Sequence, residues 1–162
     1  MGFGIYVNSG HVNVSPAVTG SQFQGLGYGD MGLALTYGGL TVGGHVTTGA
    51  YNGVNGLKPR GGADGNAWLF GAQYNTGPLT FGASYFDYSS QGSPLTVGIT
   101  QRREQGFAAG GNYTLAPGLV LYLSYLYGTR HQGDFDFATG TTGAANNNIK
   151  TQLVALGTVV KW

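Results

Sequence analysis

The chain has 162 residues and a net charge of +1, and only 8% of its residues are Asp, Glu, Lys or Arg, against roughly 25% in an ordinary soluble domain. So little charge leaves a water-facing surface underprovided, the near-neutral balance offers nothing to nucleic acid, and an aromatic content of 13% excludes a disordered chain. Although 41% of residues are hydrophobic, no run approaches the ~20 consecutive apolar residues of a membrane helix; the absence of Cys removes disulfides and thiolate metal sites.

The class that remains is all-β, an antiparallel transmembrane β-barrel in which apolar and polar residues alternate along each strand. Period-two alternation and turn chemistry predict about eight strands. The first runs over residues 2–9, behind a Met1-Gly2 opening that reads as a cut from which any export signal is gone. A long polar link, 10–29, follows; its Gly25-Leu26-Gly27-Tyr28-Gly29 run lacks the strand-to-helix setting of a phosphate loop and reads as turn material. Strands 30–38 and 39–51 meet at Gly38-Gly39, and His45 falls on the small-residue face of the second. After the link 52–65 come strands 66–76 and 77–89, joined through Asn75-Thr76-Gly77-Pro78. The link 90–100 leads to strands 101–115 and 118–131, joined through Ala116-Pro117-Gly118; the link 132–148 leads to a last strand, 149–162. Tight turns and long links thus alternate, as the periplasmic and extracellular ends of an outer-membrane barrel do. Both chain ends then fall on the periplasmic side. All five prolines stay out of strand interiors, where a missing N–H would break the ladder.

The two faces differ. Trp68, Phe70, Ala72 and Tyr74 alternate with Ala67, Leu69, Gly71 and Gln73; Leu121, Leu123, Tyr125 and Tyr127 alternate with Tyr122, Ser124, Leu126 and Gly128. The bulky set suits lipid and the smaller, more polar set a wet lumen. Tyr37, Tyr74, Tyr113 and Trp162 come near the turn end, and Trp68, Tyr85, Phe107 and Tyr127 near the loop end. Two such belts mark the two membrane interfaces, where amphipathic rings settle. Aromatics also populate any β-protein core, but the alternating loop lengths favour the belts.

The stretch Gly106-Phe107-Ala108-Ala109-Gly110-Gly111-Asn112-Tyr113-Thr114-Leu115-Ala116-Pro117-Gly118, continued by Leu121-Tyr122-Leu123-Ser124-Tyr125-Leu126-Tyr127-Gly128, resembles general porins of Gram-negative bacteria, those of α-proteobacteria above all. So do Tyr74-Asn75-Thr76-Gly77-Pro78-Leu79 and the ending Val159-Val160-Lys161-Trp162; the first thirty residues carry little of the pattern. Porins of that kind are trimers of about sixteen strands per chain, so the resemblance implies either one barrel domain over residues 1–162 or the C-terminal half of one. It implies an outer-membrane location and a water-filled channel for passive diffusion of small hydrophilic solutes and ions. It makes Trp162 part of the signal read by the barrel-insertion machinery, and it implies a homotrimer set in outer-membrane lipid and lipopolysaccharide. No cofactor and no enzymatic activity are expected.

Charges facing one another across a lumen set the barrier to a permeating ion. Parity puts Arg102 and Glu104 on the lumen side of their strand and Arg130 on the lumen side of the next, near the loop-side mouth. Arg102 and Arg130 can form a basic wall; alternatively Arg102 and Glu104 make a local pair of little energetic consequence. Asp134 and Asp136 alternate with Phe135 and Phe137, but calcium takes six to eight oxygens, and the ligand count favours a solvated loop. His11, His45 and His131 lack ligand spacing, and a hydrogen-bonded wall residue is the favoured reading of His45. The rival reading is a small closed barrel of about eight strands, filled by side chains and structural or adhesive in role. An outer-membrane enzyme would cluster His, Asp, Glu or Ser at the loop-side rim, and these are scattered.

Overall fold

The computed structural model describes residues 2–12, 23, 25–52, 57–92 and 102–161, the side chains of 2–12 excepted. Its strands are β1 (Gly2–Val12), β2 (Leu26–Tyr37), β3 (Leu40–Ala50), β4 (Gly65–Thr76), β5 (Leu79–Ser90), β6 (Arg102–Ala116), β7 (Leu119–Gln132), β8 (Phe135–Asp136), β9 (Thr141–Thr142) and β10 (Asn148–Val160). Eight of them form one antiparallel sheet in the order β1-β2-β3-β4-β5-β6-β7-β10; β8 and β9 make a separate small hairpin. Each long strand pairs with its neighbour in sequence, as hairpins demand, and β1 and β10 stand at the two edges.

Three tight turns sit at one end of the sheet. Gly38 (φ 58°) and Gly77 (φ 56°) occupy the first central position of their turns, a conformation that glycine takes without strain and whose twist matches that of the flanking strands. In Pro117-Gly118 the positive φ of 81° is at the second position, with proline first, the type II arrangement. That turn fits strand twist less well, and β6 carries a register irregularity beside it, between Thr114 and Ala116. No pattern along the chain marks this bulge.

Register fixes the faces. Leu33 stands opposite Gly44, Gly44 opposite Phe70, Phe70 opposite Tyr85, Tyr85 opposite Phe107 and Phe107 opposite Tyr127. That face is exposed and apolar, from Met31, Leu33 and Leu35 through Phe70 and Phe81 to Leu156 at 76% exposure. Among the described residues the one buried large hydrophobic is Tyr51. A water-soluble domain is held by burying its apolar side chains, and this sheet buries almost none; its bulky side chains point outward, where a bilayer is the solvent that suits them.

The concave face carries the other parity. Gly43, Gly71, Ser84, Ala108, Gly110 and Ser124 line a trough of about 510 Å³. Here the backbones leave little room for side chains: a Cβ on Gly110 would stand 2.7 Å from the Leu123 carbonyl oxygen, and one on Gly82 would stand 2.6 Å from that of Ala72. The concave face is nevertheless not uniformly small, since Leu69, Ile149, Leu153 and Val159 share its parity and are exposed.

The loop end is knitted across the chain. Asn52 and Gly92 exchange hydrogen bonds, Gln91 accepts from the Ala63 N–H at 2.7 Å, and Arg60 donates to the Phe23 carbonyl at 3.1 Å. In the link after β7, expected to be a solvated loop, Asp136 is buried and accepts from the backbone N–H groups of Ala138 (2.8 Å) and Thr139 (3.4 Å) and from Asn146 Nδ2 (3.1 Å). Asn147 donates to the carbonyls of Gln132, Phe135 and Gly143. The correction has a simple cause: two short polar side chains satisfy backbone groups that the two-residue strands β8 and β9 leave unpaired.

Those hydrogen bonds hold the Asp136 carboxyl below its ordinary 3.8, the Ala138 N–H first among them. A carboxyl whose folded pKa is depressed contributes stability above its unfolded pKa and loses it as pH falls through the folded value. The Ala138 and Thr139 amide resonances are therefore expected to hold constant above about pH 5 and to move together below the ordinary carboxylate range. Asp136→Asn flattens that titration; a titration that persists in the variant assigns it to another group.

Candidate functional site

The charged residues of the concave face gather at the loop end, in one transverse row. Asp30 stands opposite Thr47, Thr47 opposite Ala67, Ala67 opposite Tyr88, Tyr88 opposite Glu104 and Glu104 opposite Arg130. Neighbouring strands are about 4.8 Å apart, so an acidic end on β2 and a basic end on β7 are separated by about 24 Å of wall.

At the basic end, Arg102 Nε donates to Glu104 Oε1 at 2.6 Å, and Arg130 Nε approaches the same oxygen at 2.7 Å. Both readings of the sequence thus meet in one network: the local Arg102–Glu104 pair exists, and Arg130 joins it from the next strand. One carboxylate between two guanidiniums leaves an excess positive charge there. The Arg130 side chain is 42% exposed and that of Glu104 24%, so the network is part-buried in the wall and water reaches it from the lumen side. At the acidic end, His45 Nε2 contacts Asp30 Oδ1, and Thr47 Oγ1 donates to the same oxygen at 2.9 Å. His45 is a hydrogen-bonded wall residue.

Between the two ends lies a group that sequence reasoning missed. A hydrogen bond from the Tyr51 N–H to the Gly49 carbonyl (2.9 Å) closes a three-residue turn after β3. It sends the Tyr51 ring back over the concave wall, onto Gly65, where an added Cβ would stand 2.7 Å from ring carbons. Tyr51 stacks against Tyr88 at 6.0 Å and meets Tyr28 edge-on at 6.3 Å. Burial first, then the nearby Tyr88 and Asp30, push its hydroxyl up to about 12. The signal that could have found it is the Gly65 that its ring covers, legible only once β3 and β4 are in register.

On the convex face, Tyr37, Trp68, Tyr74, Tyr85, Phe107 and Tyr113 are all exposed, and Tyr127 shares their parity. Toward the loop end Trp68 packs on Tyr85 (5.3 Å) and Phe107 on Tyr127 (5.7 Å), with Tyr85 opposite Phe107. Toward the turn end Tyr37 and Tyr74 flank Leu40, and Tyr74 packs on Phe81 (5.9 Å). Trp162 and the side chain of His11 lie outside the described residues, as do Pro16 and Pro94. Among the described residues no group of three or more His, Asp or Glu could hold a metal ion.

The family model described as Gram-negative porin covers residues 1–134. The chain belongs to that family. The match takes in both inner stretches of the resemblance and also the first thirty residues, where little pattern was legible; it ends before β10. Among curated proteins and among solved structures none matches the porin chain. Membership makes it a channel-forming protein of the Gram-negative outer membrane, and points away from catalysis.

Proposed function

We propose that this porin forms a water-filled channel for the passive diffusion of small hydrophilic solutes and ions, with the concave face as its wall and Arg102, Glu104 and Arg130 as the basic side of the lumen. The observation that carries the reading is the split between faces: lipid-compatible side chains outside, and a trough floored by Gly, Ala and Ser inside. The interior of a closed barrel of eight strands is filled by side chains or holds one small ligand, whereas the Gly, Ala and Ser of this wall leave an open trough of about 510 Å³. Among the described residues the two edge strands, β1 and β10, are not paired with each other in the sheet, which suits closure by further strands into a barrel of about sixteen. We assign the aromatic belts to the two membrane interfaces, with Trp162 as part of the insertion signal. Beyond the loop-side belt, the convex Arg103–Asp87 pair at 2.6 Å and the His131–Asn148 pair at 2.9 Å suit the polar headgroups of lipopolysaccharide. A homotrimer is the expected assembly.

A unit charge about 8 Å from an ion's path in water contributes about 0.5 kcal/mol, a factor of about two in partition. Each arginine removed favours a cation and disfavours an anion by about that factor, so the Arg102→Ala/Arg130→Ala double variant is expected to raise the cation-to-anion permeability ratio about tenfold in planar bilayers at low salt, where screening is weak. Glu104→Gln moves the ratio the other way. An unchanged ratio in both removes the three residues from the conduction path, and no channel activity at all removes the pore.

A further inference from the structure

We propose that Tyr28, Tyr51 and Tyr88 form a subsite on the lumen wall for a neutral pyranose sugar. The site presupposes the water-filled pore, since a sugar reaches it only through an aqueous lumen. The three rings line a cavity of about 420 Å³ together with Asp30, Glu104 and Arg102, within the range of about 300–1,000 Å³ typical of small-molecule sites. Tyr51, 8% exposed, is the floor; Tyr88 and Tyr28, both partly exposed, are the walls.

The chemistry of the lining selects the ligand class. A pyranose has an apolar C–H face and a rim of hydroxyls. The face stacks on a tyrosine ring, burying apolar surface at little entropic cost because the rings are already held by one another. The hydroxyl rim needs both donors and acceptors beside that platform, and Asp30, Glu104 and Arg102 line the same cavity. The charges sum to zero along the row, Arg102 and Arg130 against Glu104 and Asp30, with Asp30 held by hydrogen bonds from its own wall. A neutral solute therefore enters without displacing a counter-ion, whereas an anion or a cation meets one repulsive end of the row.

The test uses the full chain in two settings. In planar bilayers, trehalose is expected to block conductance saturably, and the open-chain sorbitol to lower it only in proportion to solution conductivity. Tyr88→Ala raises the half-blocking concentration about tenfold, the scale of one lost aromatic contact; Tyr88→Phe, which keeps the ring, stays near the parent. Tyr28→Ala, on a different strand, repeats the loss should Tyr88→Ala fail to fold. In detergent, saturation-transfer NMR with trehalose reads binding without conduction. A conducting channel with no saturable block, or block that survives both Ala variants, overturns the subsite. Sugar binding in detergent by a protein that opens no channel overturns the pore and the lumen setting of the site, and leaves the three-ring sugar contact standing.

Discussion

Phe70→Arg lowers folding stability in lipid bilayers by about 2–4 kcal/mol, the cost of a cation near the midplane of a barrel's lipid face, while Ser84→Arg leaves the protein folded. The two positions lie on neighbouring strands, with Phe70 opposite Tyr85 and Gly71 opposite Ser84. They sit at about the same level of the wall on opposite faces. Phe70 is 57% exposed on the convex side, between Trp68 and Tyr74 of the two belts, so an arginine there stands in hydrocarbon with no water to solvate it. Ser84 lines the trough, and an arginine there reaches into water. Unfolding from liposomes with denaturant, followed by tryptophan fluorescence, separates the two. Conductance adds a second expectation: Ser84→Arg narrows and charges the lumen, so single-channel current falls. Equal destabilisation by both variants would contradict the assignment of faces.

Gly106→Ala destabilises the fold by about 1–3 kcal/mol, the usual cost of overpacking, and Gly128→Ala, directly opposite it in register, does not. A Cβ on buried Gly106 would stand 2.3 Å from the Tyr127 carbonyl oxygen, 2.9 Å from the Gly128 Cα and 3.0 Å from the Phe86 ring. The backbone contacts cannot yield by rotating a side chain; β6 and β7 must part. On Gly128 the same atom meets only the Gln105 oxygen at 3.9 Å, an ordinary contact. There the alanine restricts the unfolded chain and stabilises by up to about 1 kcal/mol. Heat-modified migration on gels ranks the two variants against the parent, and the order parent above Gly106→Ala, with Gly128→Ala at or above parent, is the expected result. The reverse order would mean that β6 and β7 do not pair Gly106 with Gly128.

Much of this architecture is legible before any coordinates. Glycine at Gly38, Gly77 and Gly118 marks turns because a positive φ is cheap only there, and the strict alternation from Trp68 to Tyr74 fixes which side of β4 meets lipid. Placing Arg102, Glu104 and Arg130 on one face follows from parity; that Glu104 touches both arginines does not. It depends on pairing β6 with β7 such that Glu104 faces Arg130, and a slip of one residue would turn every side chain to the other face. The β8–β9 hairpin is too short to show a period, and its cohesion comes from Asp136, Asn146 and Asn147 reaching backbone groups several residues away. The Tyr51 fold-back is hidden for a similar reason: the residue that makes room for its ring, Gly65, belongs to the next strand. The bulge between Thr114 and Ala116 answers to the twist of the following turn. Pattern along the chain thus reveals what each strand shows to its surroundings, and contacts between strands decide how the lumen wall is furnished.

The absence of native cysteine permits a clean test of the two-faced wall: single cysteines placed one at a time from residue 67 to 74 of β4, spin-labelled in lipid bilayers and read by collision with oxygen and with a water-soluble nickel chelate. Labels at 68, 70, 72 and 74 are expected to respond to oxygen dissolved in the hydrocarbon, and labels at 67, 69, 71 and 73 to the chelate. A reversed alternation, or none, would contradict a porin wall with lipid on its bulky face and water on its glycine-rich one.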